Sequence, residues 1–404
     1  MTYPARISGI AAPTRSGLFR RRRNRFVVEL DLLPEGVPTT ASLPNPGRME
    51  EMLLPGIPLG LTPGPPDGRH PWKVRSLELH GRTVPLDTGS ANRVARWLLD
   101  HRLVPGLEEW EVDRAEVSLA GQRSRVDFRV RHRDGTAPTR LLEVKSSTLV
   151  NGEWALFPDA VTERGRRHVE HLAATDGAIV LVLAHAPQAR HFAPDVHVDL
   201  RFSRTLHAVR DRISIVPLAL DWTADLALAD PPRLLTVPWP RIEPVLEDRG
   251  SYLVLFHVPS PRRITVGGLG DREFSTGFYL YVGSAMRGLS ARVARHRSAR
   301  VPTRRWHVDW LHGIARAVAD YPIREPDRRE EMIAARVADL ADSRVPGFGS
   351  SDSSMDSHLF HFHNDPRQLS AFQSLILELR RHVFAPRTPR APHPQHTPHT
   401  PHAS

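Results

Sequence analysis

Two short segments of the chain carry the residue types that metal-dependent phosphodiester hydrolysis requires. Asp127 lies in the alternating stretch 125–130, and Glu143 and Lys145 lie two residues apart in 141–145. Side chains alternate between the two faces of a strand, so Glu143 and Lys145 project together, and Asp127 joins them if the strands pair. The competing interpretation is a solvated cross-strand charge cluster, which is the commoner outcome for an arbitrary match of this kind.

The chemistry of a nuclease explains why these residue types matter. A nuclease must bring an anionic phosphodiester against an anionic nucleophile, and Mg²⁺ or Mn²⁺ held by carboxylates offsets the charge that develops. We expect Asp127 and Glu143 to be the metal ligands, with the backbone carbonyl of Val144 as a third oxygen donor. Lys145 would orient the attacking water or offset charge at the phosphate.

A second acidic pair follows at the start of a predicted helix. Asp159 and Glu163 are four residues apart and share a helix face. They could complete the metal shell, or order Arg164 and Arg167 for phosphate contacts. An interaction with the helix dipole is an equally good explanation.

Composition limits the classes of protein to consider. The 404 residues allow two to three domains, and the absence of cysteine excludes disulfides, a thiolate nucleophile and Cys-based zinc sites. There is no 18-residue apolar run and no signal-peptide pattern, so we expect a soluble, cytoplasmic protein without a membrane partner. Only Lys73 and Lys145 are lysines among 55 basic residues. Arginine therefore replaces lysine almost everywhere, which favours a specific role for Lys145.

The charge balance suggests a polyanionic partner. The formal net charge is +10, and one stretch near the N-terminus is strongly basic. Its side chains are candidate phosphate contacts, with a solvated arm as the alternative. Together with a turn residue, they form the set Arg20, Arg21, Arg22, Arg23, Arg25 and Arg48. DNA is the expected partner, RNA is the other candidate, and the oligomeric state is open.

Patterning divides the first 222 residues into two units. Residues 14–88 read as short strands with Pro/Gly turns, which favours a small β-barrel. From Ser90, a plausible helix N-cap, residues 89–222 mix helices and strands as an α/β unit. Helices are predicted to about residue 101, at 162–174 and near 199–210, and strands at about 110–119, 125–131, 140–147, 178–184 and 213–220.

The remainder is predicted to contain a spacer, a further α/β unit and a tail. Five prolines in 223–248 suggest a semi-rigid linker. The unit at 249–365 should contain strands at 252–258, 264–266 and 277–283, and helices at 289–296, 306–319 and 330–340. Residues 385–404 are rich in proline and histidine and should be disordered. A loose metal-binding role for the tail histidines is a minor alternative.

The third unit has its own candidate catalytic set. Tyr279 and Tyr281 share a strand face and could position a phosphate or water, and Arg292 could contact the phosphate. Glu331, or its neighbour Glu330, opens a helix and could hold one metal ion. Aromatic packing and a solvated acidic helix start explain the same residues. His307 and Asp309 fit either proton transfer or capping and packing.

Four segments of the first two units together resemble a known family. They are 45–49, 125–128, 143–145 and 157–165, and they are similar to the sugar fermentation stimulation protein A (SfsA) family over residues 14–222. The resemblance implies an OB-like barrel followed by a PD-(D/E)XK restriction-endonuclease-like domain, with DNA binding and expected nuclease character.

The third unit resembles a different family. Gly250, Tyr252 and the run 281–283, with Arg292 downstream, resemble the GIY-YIG nuclease pattern. Residues 250–365 are similar to a GIY-YIG-related family of uncharacterised function that is sometimes fused to endonuclease III-type proteins. The placement of Asp127, Glu143 and Lys145, together with the resemblance to the SfsA family, predicts a DNA-binding protein whose PD-(D/E)XK-like domain hydrolyses DNA or RNA with Mg²⁺. The alternative is a non-catalytic DNA-binding regulator that keeps nuclease-like folds.

Overall fold

The computed structural model describes residues 1–118, 125–298, 303–350 and 353–385. They form three packed units in chain order: a β-barrel, a middle α/β domain and a C-terminal α/β domain. No helix in these ranges is both long and apolar enough to cross a membrane. The predicted disordered tail lies, apart from Ala385, outside the described residues.

The first unit is a closed barrel, as the short strands predicted. Its sheet order is β3-β2-β1-β4-β5-β6, and an additional parallel pairing of β3 with β5 closes it. Closure removes the exposed strand edges that an open sheet would leave. The strands are β1 (Arg15–Asn24), β2 (Val27–Leu32), β3 (Val37–Ser42), β4 (Pro58–Pro63), β5 (Trp72–Leu79) and β6 (Arg82–Pro85).

The middle domain has a six-stranded sheet with a smaller three-stranded sheet beside it. The orders are β15-β14-β12-β9-β8-β7 and β10-β11-β13. The elements are α1 (Ala91–Asp100), β7 (Trp110–Ser118), β8 (Arg125–His132), β9 (Arg140–Ser147), β10 (Leu149–Asn151), β11 (Trp154–Phe157), α2 (Glu163–Leu172), β12 (Ile179–Ala184), β13 (His191–Pro194), α3 (Leu200–Ala208), β14 (Ser214–Ala219), β15 (Arg233–Leu234) and α4 (Trp239–Ile242).

Helices cover both faces of the six-stranded sheet, and the sequence of strand β12 reflects this. The strand is apolar at every position and pairs in parallel with both β9 and β14. A strand covered on both faces loses the polar/apolar alternation of a half-exposed one. Its residue Leu181 packs with α1 on one face, and Val180 packs with α2 and α3 on the other.

The segment 223–248 is packed onto the middle domain along part of its length. Strand β15 pairs with β14, Thr236 forms a bridge with His191, and Leu228 pairs with Ala5 near the N-terminus. The prolines therefore do not make a free spacer, because neighbouring backbone groups find sheet partners.

The C-terminal domain is a five-stranded sheet of order β20-β16-β19-β22-β21 with helices and a β17–β18 hairpin. Its elements are β16 (Gly250–Val258), β17 (Arg262–Thr265), β18 (Asp271–Phe274), β19 (Gly277–Ala285), α5 (Leu289–Arg297), β20 (Arg316–Arg324), α6 (Glu330–Ala338), β21 (Ser343–Arg344), β22 (Leu359–Phe362) and α7 (Ser370–His382).

Two features of this domain differ from the sequence prediction. The expected helix at 306–319 is a short 3-10 helix at His307–Gly313. The chain then continues as strand β20, because its backbone pairs with the edge of β16. Helix α7, which was not predicted, places Phe372 in a core shared with Leu280 of this domain and Trp154 of the middle domain. The two domains are therefore joined by apolar packing.

Candidate active site

Strand pairing brings Asp127 and Glu143 together. The register of β8 and β9 places Phe128 opposite Leu142, so the two carboxylates lie on adjacent strands. The Asp127 backbone N–H donates to Glu143 Oε2 at 3.4 Å, and the Val144 N–H donates to Asp127 Oδ2 at 2.7 Å. The spacing in the sequence therefore gives a carboxylate pair at one place on the sheet.

Glu143 is the most constrained member of the group. Its side chain is 4% exposed, and its Oε1 accepts from Lys145 Nζ at 2.6 Å and lies 2.6 Å from His168 Nδ1. Burial opposes ionisation, but the hydrogen bond from His168 and the charge of Lys145 outweigh it and lower the pKa of Glu143. Glu143 is therefore held as a carboxylate although its side chain is almost fully buried.

The pKa of Asp127 is shifted in the opposite direction to that of Glu143. Burial and the neighbouring charge of Glu143 raise its pKa, although hydrogen bonds from Val144 N–H and Asn92 Nδ2 act against the rise. The Asn92 contact, at 2.8 Å to Oδ1, comes from α1. Two nearby carboxylates whose ionisation is mutually unfavourable gain when a cation lies between them.

Two residues of this group were missed in the sequence. His168 on α2 and Asn92 on α1 are far from the carboxylates along the chain and reach them only through packing. The one usable signal for His168 was its spacing of four from Arg164, whose Nε lies 3.4 Å from His168 Nε2. Nothing in the sequence singled out Asn92.

The carboxylates lie at the bottom of a cleft of about 700 Å³ whose walls come from two domains. The middle domain contributes Asp159 and Arg164, and the barrel contributes Asn45 and Gly47. A Cβ built on Gly47 would lie 1.7 Å from Asp159 Oδ2. Only glycine therefore allows the barrel loop to approach the middle domain this closely.

Arg22 holds this barrel loop in place. Its Nη1 donates to the carbonyls of Gly47 at 2.5 Å and Arg48 at 2.7 Å, and its Nη2 donates to those of Arg25 at 2.7 Å and Asn45 at 3.0 Å. The side chain is half-buried, and both of its terminal nitrogens donate to backbone carbonyls, so it supports the loop. Its position in the structure is thus that of a loop clamp.

The other arginines of the basic stretch lie on strand β1 or just after it and have different surroundings. Arg20 lies 3.4 Å from Asp31, and Arg21 pairs with Glu29 at 2.6 Å. Arg23 and Arg25 are exposed, with the Arg25 guanidinium 5.8 Å from the ring centre of Phe26.

The remaining predicted phosphate contacts differ in whether they line the cleft. Arg164 lines it, whereas Arg167 is exposed and does not line it. Arg48 is exposed near Asp159, where burial raises the pKa of Asp159 and the charges of Arg22 and Arg48 oppose the rise. Glu163 is exposed and pairs with Arg166, away from the metal-ligand candidates.

The C-terminal domain has a separate pocket. Tyr252, Tyr281, Arg292, His307 and Glu330 are among its lining residues. Strand register places Tyr252 opposite Gly283, where a Cβ would lie 2.5 Å from the tyrosine hydroxyl. The glycine after Tyr281-Val282 is therefore required by the tyrosine of the neighbouring strand.

Two of the predicted catalytic residues lie outside this pocket. The Tyr279 hydroxyl donates to the Ser275 carbonyl at 3.2 Å, and Glu331 is exposed and accepts from the Ser353 and Ser354 hydroxyls. Their places are taken by Tyr252, which is buried, and by Glu330, which accepts from the Ser284 hydroxyl. Adjacent helix positions point about 100° apart, so a one-residue difference changes which carboxylate enters the pocket.

Three parts of the chain match known families. Residues 21–86 match the SfsA N-terminal OB domain, and residues 89–225 match the sugar fermentation stimulation protein RE domain. Residues 251–381 match a domain of unknown function, DUF123. These matches confirm the family resemblances that were inferred from the motifs, and the barrel is an OB domain.

Individual relatives agree with these matches. The sugar fermentation stimulation protein homolog of Pyrobaculum islandicum is 33% identical over 217 residues, which cover 52% of this chain and 90% of the relative. The homolog of Methanothermobacter thermautotrophicus is 33% identical over 236 residues, covering 56% and 95%. The solved structure of Pyrococcus furiosus SfsA in complex with Ca²⁺ is 24% identical, with a TM-score of 0.49, and the match covers 56% of this chain and 98% of that one. Because the chain is 33% identical to the two homologs and covers 90% and 95% of their lengths, it belongs to the sugar fermentation stimulation protein family, and it carries an additional C-terminal DUF123 domain.

Proposed function

We propose that the cleft between the barrel and the middle domain hydrolyses phosphodiester bonds of DNA with Mg²⁺ or Mn²⁺, as PD-(D/E)XK nucleases do. The observation that carries the proposal is the buried Glu143, hydrogen-bonded to Lys145 and adjacent to Asp127. A solvated charge cluster, the competing interpretation, would not bury its carboxylate.

The donor set fits a hard divalent cation. Asp127 and Glu143 offer oxygens from adjacent strands, and the backbone carbonyl of Val144, the residue after Glu143, is a further oxygen donor at the cleft. The raised pKa of Asp127 reflects burial and repulsion from Glu143, and bound Mg²⁺ would relieve that repulsion. When bound, the ion would supply Lewis-acid stabilisation of charge at the scissile phosphate.

The residues of the chain have separate tasks in this proposal. His168 fixes the orientation of Glu143 through the 2.6 Å contact at Oε1. Lys145, 13% exposed at its side chain, holds and orients the attacking water or stabilises the negative phosphate oxygen. Arg164, at the cleft wall, binds a neighbouring phosphate.

DNA fits the charge and the shape of the protein. The formal net charge is +10, the OB barrel forms one wall of the cleft, and Arg23 and Arg25 of the barrel are exposed. Such basic surfaces bind nucleic acid by releasing counterions from phosphates, which makes binding dependent on salt. Parallel assays on single- and double-stranded DNA and RNA distinguish the two polymers.

The decisive experiment measures cleavage and binding in the same samples. We expect Mg²⁺-dependent cleavage that Glu143→Gln and Lys145→Ala abolish, while Glu163→Gln, a matched change of an exposed carboxylate that does not line the cleft, retains it. Salt-sensitive DNA binding without cleavage under any metal would support a non-catalytic regulator instead. Cleavage that survives in Glu143→Gln would exclude this cleft as its source.

The C-terminal pocket is a second candidate catalytic site. Tyr252, Tyr281, Arg292 and Glu330 meet there, which is the residue set of GIY-YIG chemistry: tyrosines for the nucleophile or phosphate, a cation and a carboxylate. In the Glu143→Gln background, residual cleavage from this pocket should disappear in Glu330→Gln and persist in Glu331→Gln. If the Glu143→Gln variant shows no residual cleavage, the C-terminal pocket has no hydrolytic activity on the substrates tested.

A further inference from the structure

Behind the C-terminal pocket, three potential metal ligands converge. His296 comes from the end of α5, and Asp309 and His312 come from the 3-10 helix at His307–Gly313. One ligand atom from each lies within 4.8 Å of the others. None of the three lines the pocket itself, but His296 contacts the rings of two residues that do, Tyr252 and Trp306.

The three side chains present polar atoms that the described residues leave without hydrogen-bond partners. His296 is 0% exposed, and neither of its ring nitrogens has one. Asp309 Oδ1 and His312 Nε2 are also buried and have no hydrogen-bond partner among the described residues. Leaving buried polar atoms unpaired destabilises the folded state, so several such atoms in one place point to a missing partner.

The geometry of Asp309 leaves one oxygen available. Its Oδ2 accepts from the N–H groups of Arg305 and Trp306 at 2.7 and 3.2 Å, and from Arg295 Nη2 at 2.8 Å. Its Oδ1 lies 3.6 Å from His296 Nδ1, which is too far for a hydrogen bond.

We propose that His296, Asp309 and His312 bind one Zn²⁺ ion, with water in the fourth position. Two imidazoles and a carboxylate are a common zinc set, and chains without cysteine have only such ligands to offer. Ligand atoms around tetrahedral zinc are roughly 3.3 Å apart, so ligand atoms that lie within 4.8 Å of one another need to approach by at most about 1.5 Å on binding. His312 is only half-buried, which gives the ion an entry path.

The ion would stabilise the wall of the C-terminal pocket. The His296 ring stacks on Tyr252, with ring centres 5.7 Å apart, and contacts Trp306 edge-on at 5.9 Å. Trp306 in turn lies 4.0 Å below the Arg292 guanidinium. Fixing His296 and Asp309 therefore fixes the aromatic platform that positions Arg292. This role does not depend on whether the pocket cleaves a substrate.

The test must exclude two other places where zinc could bind. We would use the full-length, untagged chain with the four tail histidines changed to glutamine and with Glu143→Gln in the cleft. The tail changes are His393→Gln, His396→Gln, His399→Gln and His402→Gln. After incubation with ZnSO₄ and gel filtration, elemental analysis should find one zinc per chain, and zinc should raise the Tm by several degrees. A chain that retains no zinc and shows no Tm shift overturns the proposal.

Variants then assign the ligands. His312→Gln and Asp309→Asn should each lose the zinc, whereas His257→Gln, a half-buried histidine of the same domain, should keep it. In His312→Cys the only thiol of the chain would join the site, so Co²⁺ should show a thiolate charge-transfer band that the parent lacks. This rescue keeps the test valid if His312→Gln fails to fold. Zinc retained by folded His312→Gln and Asp309→Asn, or no such band in the cysteine variant, overturns the assignment.

Discussion

Gly47 of the barrel and Asp159 of the middle domain approach so closely that a Cβ on residue 47 would lie 1.7 Å from Asp159 Oδ2. The same Cβ would lie 2.7 Å from Asp159 Cγ and 3.0 Å from Asn45 Oδ1. Asp159 is itself part of the cleft wall, so the barrel and the middle domain are in close contact at the candidate active site.

We expect Gly47→Ala to damage both stability and cleavage. The added methyl has no space unless the barrel loop or Asp159 moves, and overpacking of this kind costs about 1–3 kcal/mol. Urea unfolding and a cleavage assay measure the two effects. Gly268→Ala is the matched control, because its Cβ would meet nothing within 4 Å. If Gly47→Ala and Gly268→Ala had the same unfolding free energy and the same cleavage rate, the contact between residue 47 and Asp159 would not be rigid.

Arg22 and Arg23 are neighbours with different expected roles. Arg22→Gln removes donors from loop carbonyls and should lower the free energy of unfolding by about 1–3 kcal/mol. Arg23→Gln removes an exposed charge and should leave stability unchanged while reducing the salt dependence of DNA binding by about one phosphate contact. Chemical denaturation and binding isotherms at several salt concentrations separate the two. A stability loss in Arg23→Gln together with unchanged stability in Arg22→Gln would contradict the role of Arg22 as a loop clamp.

His168 should control the pH dependence of the cleft. The pKa of Glu143 is lowered because the hydrogen bond from His168 and the charge of Lys145 outweigh burial. Removing the hydrogen bond in His168→Leu should raise that pKa, so the acidic limb of the cleavage profile moves to higher pH. We also expect a loss of about 10–100-fold in Mg²⁺ affinity or activity.

The control for His168 lies on the same helix. His171→Leu changes a histidine that does not line the cleft and should leave the acidic limb in place. Rates measured from acid to neutral pH at saturating Mg²⁺ give the comparison. An unmoved limb in His168→Leu would show that the histidine does not set the ionisation of Glu143.

Glu51 should make the protein less stable as pH rises. Burial, supported by the charges of Asp159 and Glu50, raises its pKa to about 7. A carboxyl with a raised folded-state pKa favours folding below its unfolded pKa, and that contribution is lost as pH rises towards the folded value. Glu51→Gln should therefore be more stable than the parent at pH 8, by up to about 3 kcal/mol.

Below about pH 4 the parent and Glu51→Gln should have similar stability, because the carboxyl is then protonated in both folded and unfolded states. Unfolding curves at several pH values, with the exposed Glu108→Gln as control, test this. A parent whose stability rises between pH 5 and pH 8 relative to Glu51→Gln would contradict the buried-acid assignment.

The sequence by itself was sufficient for features that depend on local pattern. Short β-rich runs between Pro/Gly turns predicted the barrel, and apolar periodicity predicted α1, α2 and β12 close to their observed ends. The spacing of Glu143 and Lys145 placed both on one strand face, because the period of a strand is two. Helix α7 and strands β10, β11 and β13 were missed, since short or shared-core elements have little signal of their own.

Only the tertiary structure decided which residues meet across elements. His168 and Asn92 reach the carboxylates through helix packing, and Arg22 became a loop clamp because the barrel carries it to the 45–48 loop. Tyr252 and Glu330 line the C-terminal pocket, where Tyr279 and Glu331 had been expected, because strand register and helix phase select one residue of each adjacent set. Register and packing depend on contacts between distant parts of the chain, and a local pattern contains no information about them.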